Sequence, residues 1–116
     1  MQITVQSNEN TIVFELNNSR AVKDLINQLP IFIEVQNYSD NEKIFYPPQP
    51  LDTSDAPEAT GSFGSLAYYA PWDDVVMLYG SFRPSPGSGL YELGHAISGS
   101  ENIRNLTGTI KVSSGQ

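Results

Sequence analysis

Gly61-Ser-Phe-Gly-Ser-Leu-Ala-Tyr-Tyr-Ala70 runs into Pro71-Trp-Asp-Asp-Val-Val-Met-Leu-Tyr-Gly80, and a Ser/Pro/Gly loop later comes Leu90-Tyr-Glu-Leu-Gly-His-Ala-Ile-Ser-Gly99. Leu66 to Ala70, Val75 to Tyr79 and Leu90 to Ile97 read as strands, because aromatic and β-branched residues are bounded by Gly, Pro, Ser and Asp. Pro71-Trp72-Asp73-Asp74 joins the first two strands. Ser85-Pro86-Gly87-Ser88-Gly89 is an irregular loop before the third. Outward from here, Ile110 and Val112 close the series, after a segment from Ser100 to Leu106 that suits a helical turn capped by Ser100.

The N-terminal half has the same texture. Ile3 and Val5 alternate with polar neighbours, as do Ile12, Phe14 and Leu16, and Ser7 to Asn10 reads as the turn of an opening hairpin. The period then changes. Val22, Leu25, Ile26 and Leu29 form one apolar stripe at helical spacing, with Asn18 or Ser19 as N-cap and Pro30 as the stop. This short amphipathic helix suits a lid over a barrel opening. Ile31, Ile33 and Val35 restore period two, and Lys43 to Tyr46 forms a further strand. Residues 47–62 carry Pro47, Pro48, Pro50 and Pro57 and read as a long loop rather than a domain boundary. The expectation is one domain over residues 1–116: a mainly β, closed eight-stranded barrel with one amphipathic helix and a short helical turn.

Composition excludes several classes of function. The 116-residue chain has no cysteine, which removes disulfides, thiolate metal sites and thiol nucleophiles. Thirteen acidic against six basic residues give a net charge of -7, which repels phosphate backbones and argues against nucleic-acid binding. No apolar run approaches a membrane span, and the start lacks the features of a secretory signal. A cytoplasmic protein is expected, with no membrane partner. His95 is the single histidine, so a His-based zinc triad is excluded and the residue reads as facing solvent or a hydrogen-bonding partner. Asp73 and Asp74, with Asp52 and Asp55 in the long loop, read as solvated turn charges. They match no hard-cation loop pattern. No metal, cofactor or catalytic residue is expected.

The ordered landmarks resemble the cyclophilin family across almost the whole chain. Thr11-Ile-Val-Phe-Glu-Leu16 with the helix bearing Leu25 and Leu29 is similar to the cyclophilin opening strands and first helix. Gly64-Ser-Leu-Ala-Tyr-Tyr-Ala-Pro71, Asp74-Val-Val-Met-Leu-Tyr79 and Leu93-Gly-His-Ala-Ile-Ser-Gly99 resemble its later strands. Similarity is greater to small uncharacterised prokaryotic cyclophilin-like proteins, through Leu29-Pro30, Glu42-Lys43, Tyr68-Tyr69-Ala70-Pro71-Trp72 and Leu93-Gly94 with Gly99. The resemblance implies the barrel fold, and it implies prolyl isomerisation only where the family's Phe-His-Arg strand is kept. Here the matching Lys43-Ile44-Phe45-Tyr46-Pro47 has Phe45 but no arginine, Gln49 is a loose match for the family glutamine, and the aromatic pocket floor falls near Met77.

Tyr68, Tyr69, Trp72, Tyr79, Phe82 and Tyr91 cluster in the chain, and one face of each strand must leave the barrel. The sequence therefore favours a non-catalytic binding module for a peptide or small ligand. Its candidate residues are Phe45, Tyr69, Trp72, Met77, Tyr79, Phe82 and Arg83, framed by loops 47–62 and 80–90. A weak isomerase rebuilt on Phe45 and Arg83, and a homodimer formed through the aromatic patch, are the alternatives.

Overall fold

The computed structural model describes residues 1–115 and consists of one antiparallel sheet curled into a nearly closed barrel. Its strands are β1 (Gln2–Ser7), β2 (Asn10–Leu16), β3 (Ile31–Glu34), β4 (Gln36–Tyr38), β5 (Glu42–Phe45), β6 (Ser65–Tyr69), β7 (Asp74–Leu78), β8 (Leu90–Ser98) and β9 (Thr109–Ser114). They are ordered β3-β9-β1-β2-β8-β6-β7-β5-β4. The expected closed barrel of eight strands is corrected to nine strands and near closure. The additional strand, β4, is exposed at every residue and has no apolar alternation to announce it. The two edges, β3 and β4, are not paired side by side. They are consecutive in the chain, separated by Val35, whose amide bonds to Gly108 O at 2.9 Å.

The helix α1 (Arg20–Ile26) is capped by Ser19, whose hydroxyl accepts the Val22 amide at 3.3 Å. Ala21, Val22 and Leu25 are buried in the main core with Ile3, Phe14, Phe45, Leu66, Tyr68, Met77 and Ile110. A 3-10 helix spans Ser100–Asn105 where a helical turn was expected. Its N-cap is Gly99 at φ 77°, not Ser100, and no side chain caps it. Backbone at that φ suits glycine, which has no Cβ to clash.

The long loop before β6 is fastened rather than loose. Arg20 N donates to Asp55 at 2.8 Å, Asp52 N to Asp24 at 2.8 Å and Gln49 N to Gln28 at 2.9 Å. Leu51 is buried, and its amide donates to the Tyr68 hydroxyl at 3.2 Å. That hydroxyl donates in turn to Asp73 at 2.8 Å, and burial pushes its pKa up to about 12. Asp52 and Asp55 are thus tethers between loop and helix.

β8 is the middle of the sheet, pairing β2 on one side and β6 on the other. Its register skips Ile97 against β2 and Leu93 against β6, and such bulges bend a strand and increase its twist. Gly94 sits at the closest approach: a Cβ there would run into the Glu15 carbonyl oxygen and lie 2.9 Å from Leu16 Cα. Backbone atoms cannot step aside as a flexible side chain can. Gly94→Ala is therefore expected to cost about 1–3 kcal/mol, read as a lower urea midpoint; a midpoint equal to that of wild type would contradict it.

Candidate functional site

Period-two alternation gives β5–β8 two buried faces. Phe45, Leu66, Tyr68, Val75 and Met77 point into the main core. Ile44, Ala67, Val76, Leu78 and Leu90 point outward into a second, smaller core, against which Ala59, Tyr69 and Phe82 pack. A cavity of about 310 Å³ opens on that outer face. Tyr69 and Val76 belong to the sheet, Tyr38 and Glu42 come from its edge, and Phe82 to Ser85 come from the loop that follows β7.

The β6–β7 turn supplies the wall. Tyr69 pairs with Asp74 at the end of the hairpin, and residues 70–73 turn through amide bonds from Trp72 to Tyr69 O and from Asp73 to Ala70 O. Asp73 completes the turn at φ 57°, a conformation that Asp tolerates better than most residues. Trp72 is left 48% exposed between two tyrosines. Its ring lies 5.3 Å from Tyr38 and 5.6 Å from Tyr69, edge-on to each at interplanar angles of 85° and 73°. Such near-perpendicular contacts are favourable for aromatic pairs and fix the indole in place.

Of the residues expected from sequence, Tyr69, Trp72, Phe82 and Arg83 are brought together on this cavity. Three lie elsewhere. Phe45 and Met77 are fully buried in the main core, on the opposite face of the sheet. Tyr79 packs against that core, donates its hydroxyl to Asn37 at 2.8 Å and carries the Arg104 guanidinium 5.6 Å above its ring. The loop 47–62 does not line the cavity; the loop containing Phe82, Arg83, Pro84, Ser85 and Ser88 does.

Tyr38, Glu42 and Asp74 also line it and were not expected. The reading of Asp74 as a solvated turn charge is corrected: the residue is 2% exposed. Asp73, its exposed neighbour, points the other way and accepts from Tyr68. Among the described residues Asp74 Oδ1 has no donor. Burial raises the Asp74 pKa to about 6, its own amide partly offsets the rise, and the Asp73 charge adds to it. Half-buried Glu42 is also raised, first by burial and then by the charge on Asp74. The alternation signal missed Asp74 because a strand-end aspartate beside a turn looks solvated; its even spacing with Val76 and Leu78 was the available clue.

This has a measurable consequence for stability. Between about pH 4 and pH 6 the unfolded chain releases the Asp74 proton while the folded chain keeps it, so this residue's contribution falls as pH rises. Above about pH 6 the folded state carries a buried charge at full penalty. Asp74→Asn is expected to stabilise the protein by about 1–3 kcal/mol at pH 8 and by much less at pH 4. Paired thermal melts across that range would show the gap widening with pH; a constant gap would contradict it.

Among the described residues no three His, Cys, Asp or Glu side chains gather as a metal site, and no helix is long and apolar enough to cross a membrane. No curated protein matches the chain in sequence. The solution structure of a hypothetical protein from Archaeoglobus fulgidus is similar in fold, with a TM-score of 0.79 at 17% identity, over 99% of this chain and 95% of that one. The model of the cyclophilin-like family matches residues 5–114, and with nearly every element inside that match the chain belongs to the cyclophilin-like family.

Proposed function

We propose that this chain is a non-catalytic binding module that takes a small ligand, or one side chain of a peptide, into the outer-face cavity. The observation that supports this most directly is the wall of aromatic rings, Tyr38, Tyr69, Trp72 and Phe82, around about 310 Å³ of space. Concave, mostly apolar sites with a few polar groups are the usual form of a ligand pocket. Trp72 is held by its two tyrosine neighbours and so loses little freedom on binding. Arg83 on the rim offers donors to a carbonyl of the ligand.

Family membership alone supplies no activity, since one fold hosts many functions. Prolyl isomerisation needs a donor at the prolyl nitrogen and a pocket for its ring in one place. Phe45 and Arg83, the pair on which a rebuilt isomerase would rest, lie on opposite faces of the sheet. In a protease-coupled assay a prolyl peptide is expected to isomerise at its uncatalysed rate, with wild type and Arg83→Ala indistinguishable. Acceleration that fell with Arg83→Ala would make the protein an enzyme. Trp72→Ala should weaken ligands found by a fragment screen about tenfold or more, while the mass in solution stays unchanged. A shift of mass towards monomer would instead assign the patch to a homodimer.

A further inference from the structure

The floor of the cavity carries chemistry that an apolar ligand leaves unused. Glu92, a third carboxylate raised by burial on these strands, has a partner: it accepts the Ser65 hydroxyl, whose Oγ lies 2.8 Å from Oε1 and 2.7 Å from Oε2. Asp74 has no such companion. Its Oδ1 is buried, lacks a donor, and belongs to a residue that lines the cavity. A buried acceptor left unmet costs more than a hydrogen bond gains, and native proteins seldom keep one without a use. Glu42 lines the same cavity, close enough for its carboxyl to feel the charge on Asp74.

Resting on the binding-module reading above, we propose that the cavity binds the guanidinium or primary ammonium head of a small organic cation, with Asp74 as its ion-pair partner. Glu42 adds a second carboxylate, and the rings of Trp72, Tyr38 and Tyr69 flank the charge. Aromatic rings attract a cation through their quadrupole, most strongly where water is displaced. Two carboxylates and three rings fall short of the six or more oxygen ligands of a hard metal ion, which an organic cation does not require. The unmet oxygen further specifies a head that bears N–H groups. A quaternary ammonium would satisfy the rings and leave Asp74 Oδ1 as it was. Arg83 stands on the rim exposed to solvent, where its charge is screened, whereas the Asp74 charge is buried and sets the sign of the floor. The net charge of -7 draws cations towards the molecule as a whole. The volume, at the lower end of small-molecule sites, suits the head and a short alkyl chain.

Trp72 is the single tryptophan, so its indole N–H gives one NMR signal that reports on the cavity. At 150 mM salt the folded protein would be titrated with butylguanidinium, butylammonium, butyltrimethylammonium, neutral butyramide and butyrate. The first two are expected to shift the Trp72 signal and saturate it, the trimethyl form to bind about tenfold more weakly, and butyrate not to bind. Asp74→Asn should weaken butylguanidinium about tenfold or more while leaving the fold intact by circular dichroism. Glu42→Gln should weaken it less. Should butyramide bind as tightly as the cations, or both variants bind like wild type, the cation assignment falls and the pocket stands. If no probe of either charge nor any fragment moves the indole signal, both readings fall.

Discussion

How closely β8 can approach β2 at Gly94 governs the whole sheet. β8 is the one strand that joins the half built from β3, β9, β1 and β2 to the half built from β6, β7, β5 and β4. Any side chain at Gly94 would be forced against the Glu15 carbonyl and the Leu16 backbone. The bulge at Leu93 next to it sends that side chain fully into the core and turns the strand. The curl brings β3 and β4 into one continuous stretch of chain, so near closure is achieved with a single residue between the edges. The barrel interior is filled by large side chains such as Tyr68, Phe14 and Phe45. The cavity of about 310 Å³ opens on the outer face.

The outer face can hold a cavity because a second core builds it. Val76, Leu78, Ala67 and Ile44 are as buried as most interior residues although they point away from the barrel. Their cover is Phe82 and Ala59 from loops and Tyr69 from the sheet itself. Loops cover less evenly than strands, and the gap between Phe82 and the Tyr38–Trp72 pair is the cavity. Across the barrel the long loop is fastened to α1 by Asp24, Gln28 and Asp55. That division leaves the loop after β7 as the element that shapes access to the cavity.

Most strands were legible because one face of each is apolar, and the helix was legible from the stripe through Val22, Leu25 and Ile26. β4 was not, since Gln36, Asn37 and Tyr38 are all exposed and β5 is the one strand they pair with. Losing β4 also hid Tyr38 as a wall of the site. Alternation says which residues share a face but not which face enters the barrel, and this explains the mixed list of site residues. Tyr69 was grouped with Met77 and Tyr79, yet the register puts Tyr69 with Val76 outside and Met77 inside. For β7 both faces are buried, so the pattern of Asp74-Val-Val-Met-Leu78 carries no polar marker except the aspartate itself.

That aspartate is where the local rules disagree, and the disagreement is informative. A hydrophobic residue would serve both the second core and the strand better than Asp74 does, and would avoid the penalty that raises its pKa to about 6. The turn does not require it either, because the positive-φ position and the Tyr68 hydrogen bond both fall on Asp73. Neither the fold nor the turn accounts for a buried carboxylate at this position with one oxygen, Oδ1, left without a donor. A partner from outside the chain accounts for it directly: an N–H-bearing cation satisfies Oδ1, lowers the repulsion from Glu42 and meets the rings that line the same cavity. Stability given up in the free protein is then recovered on binding.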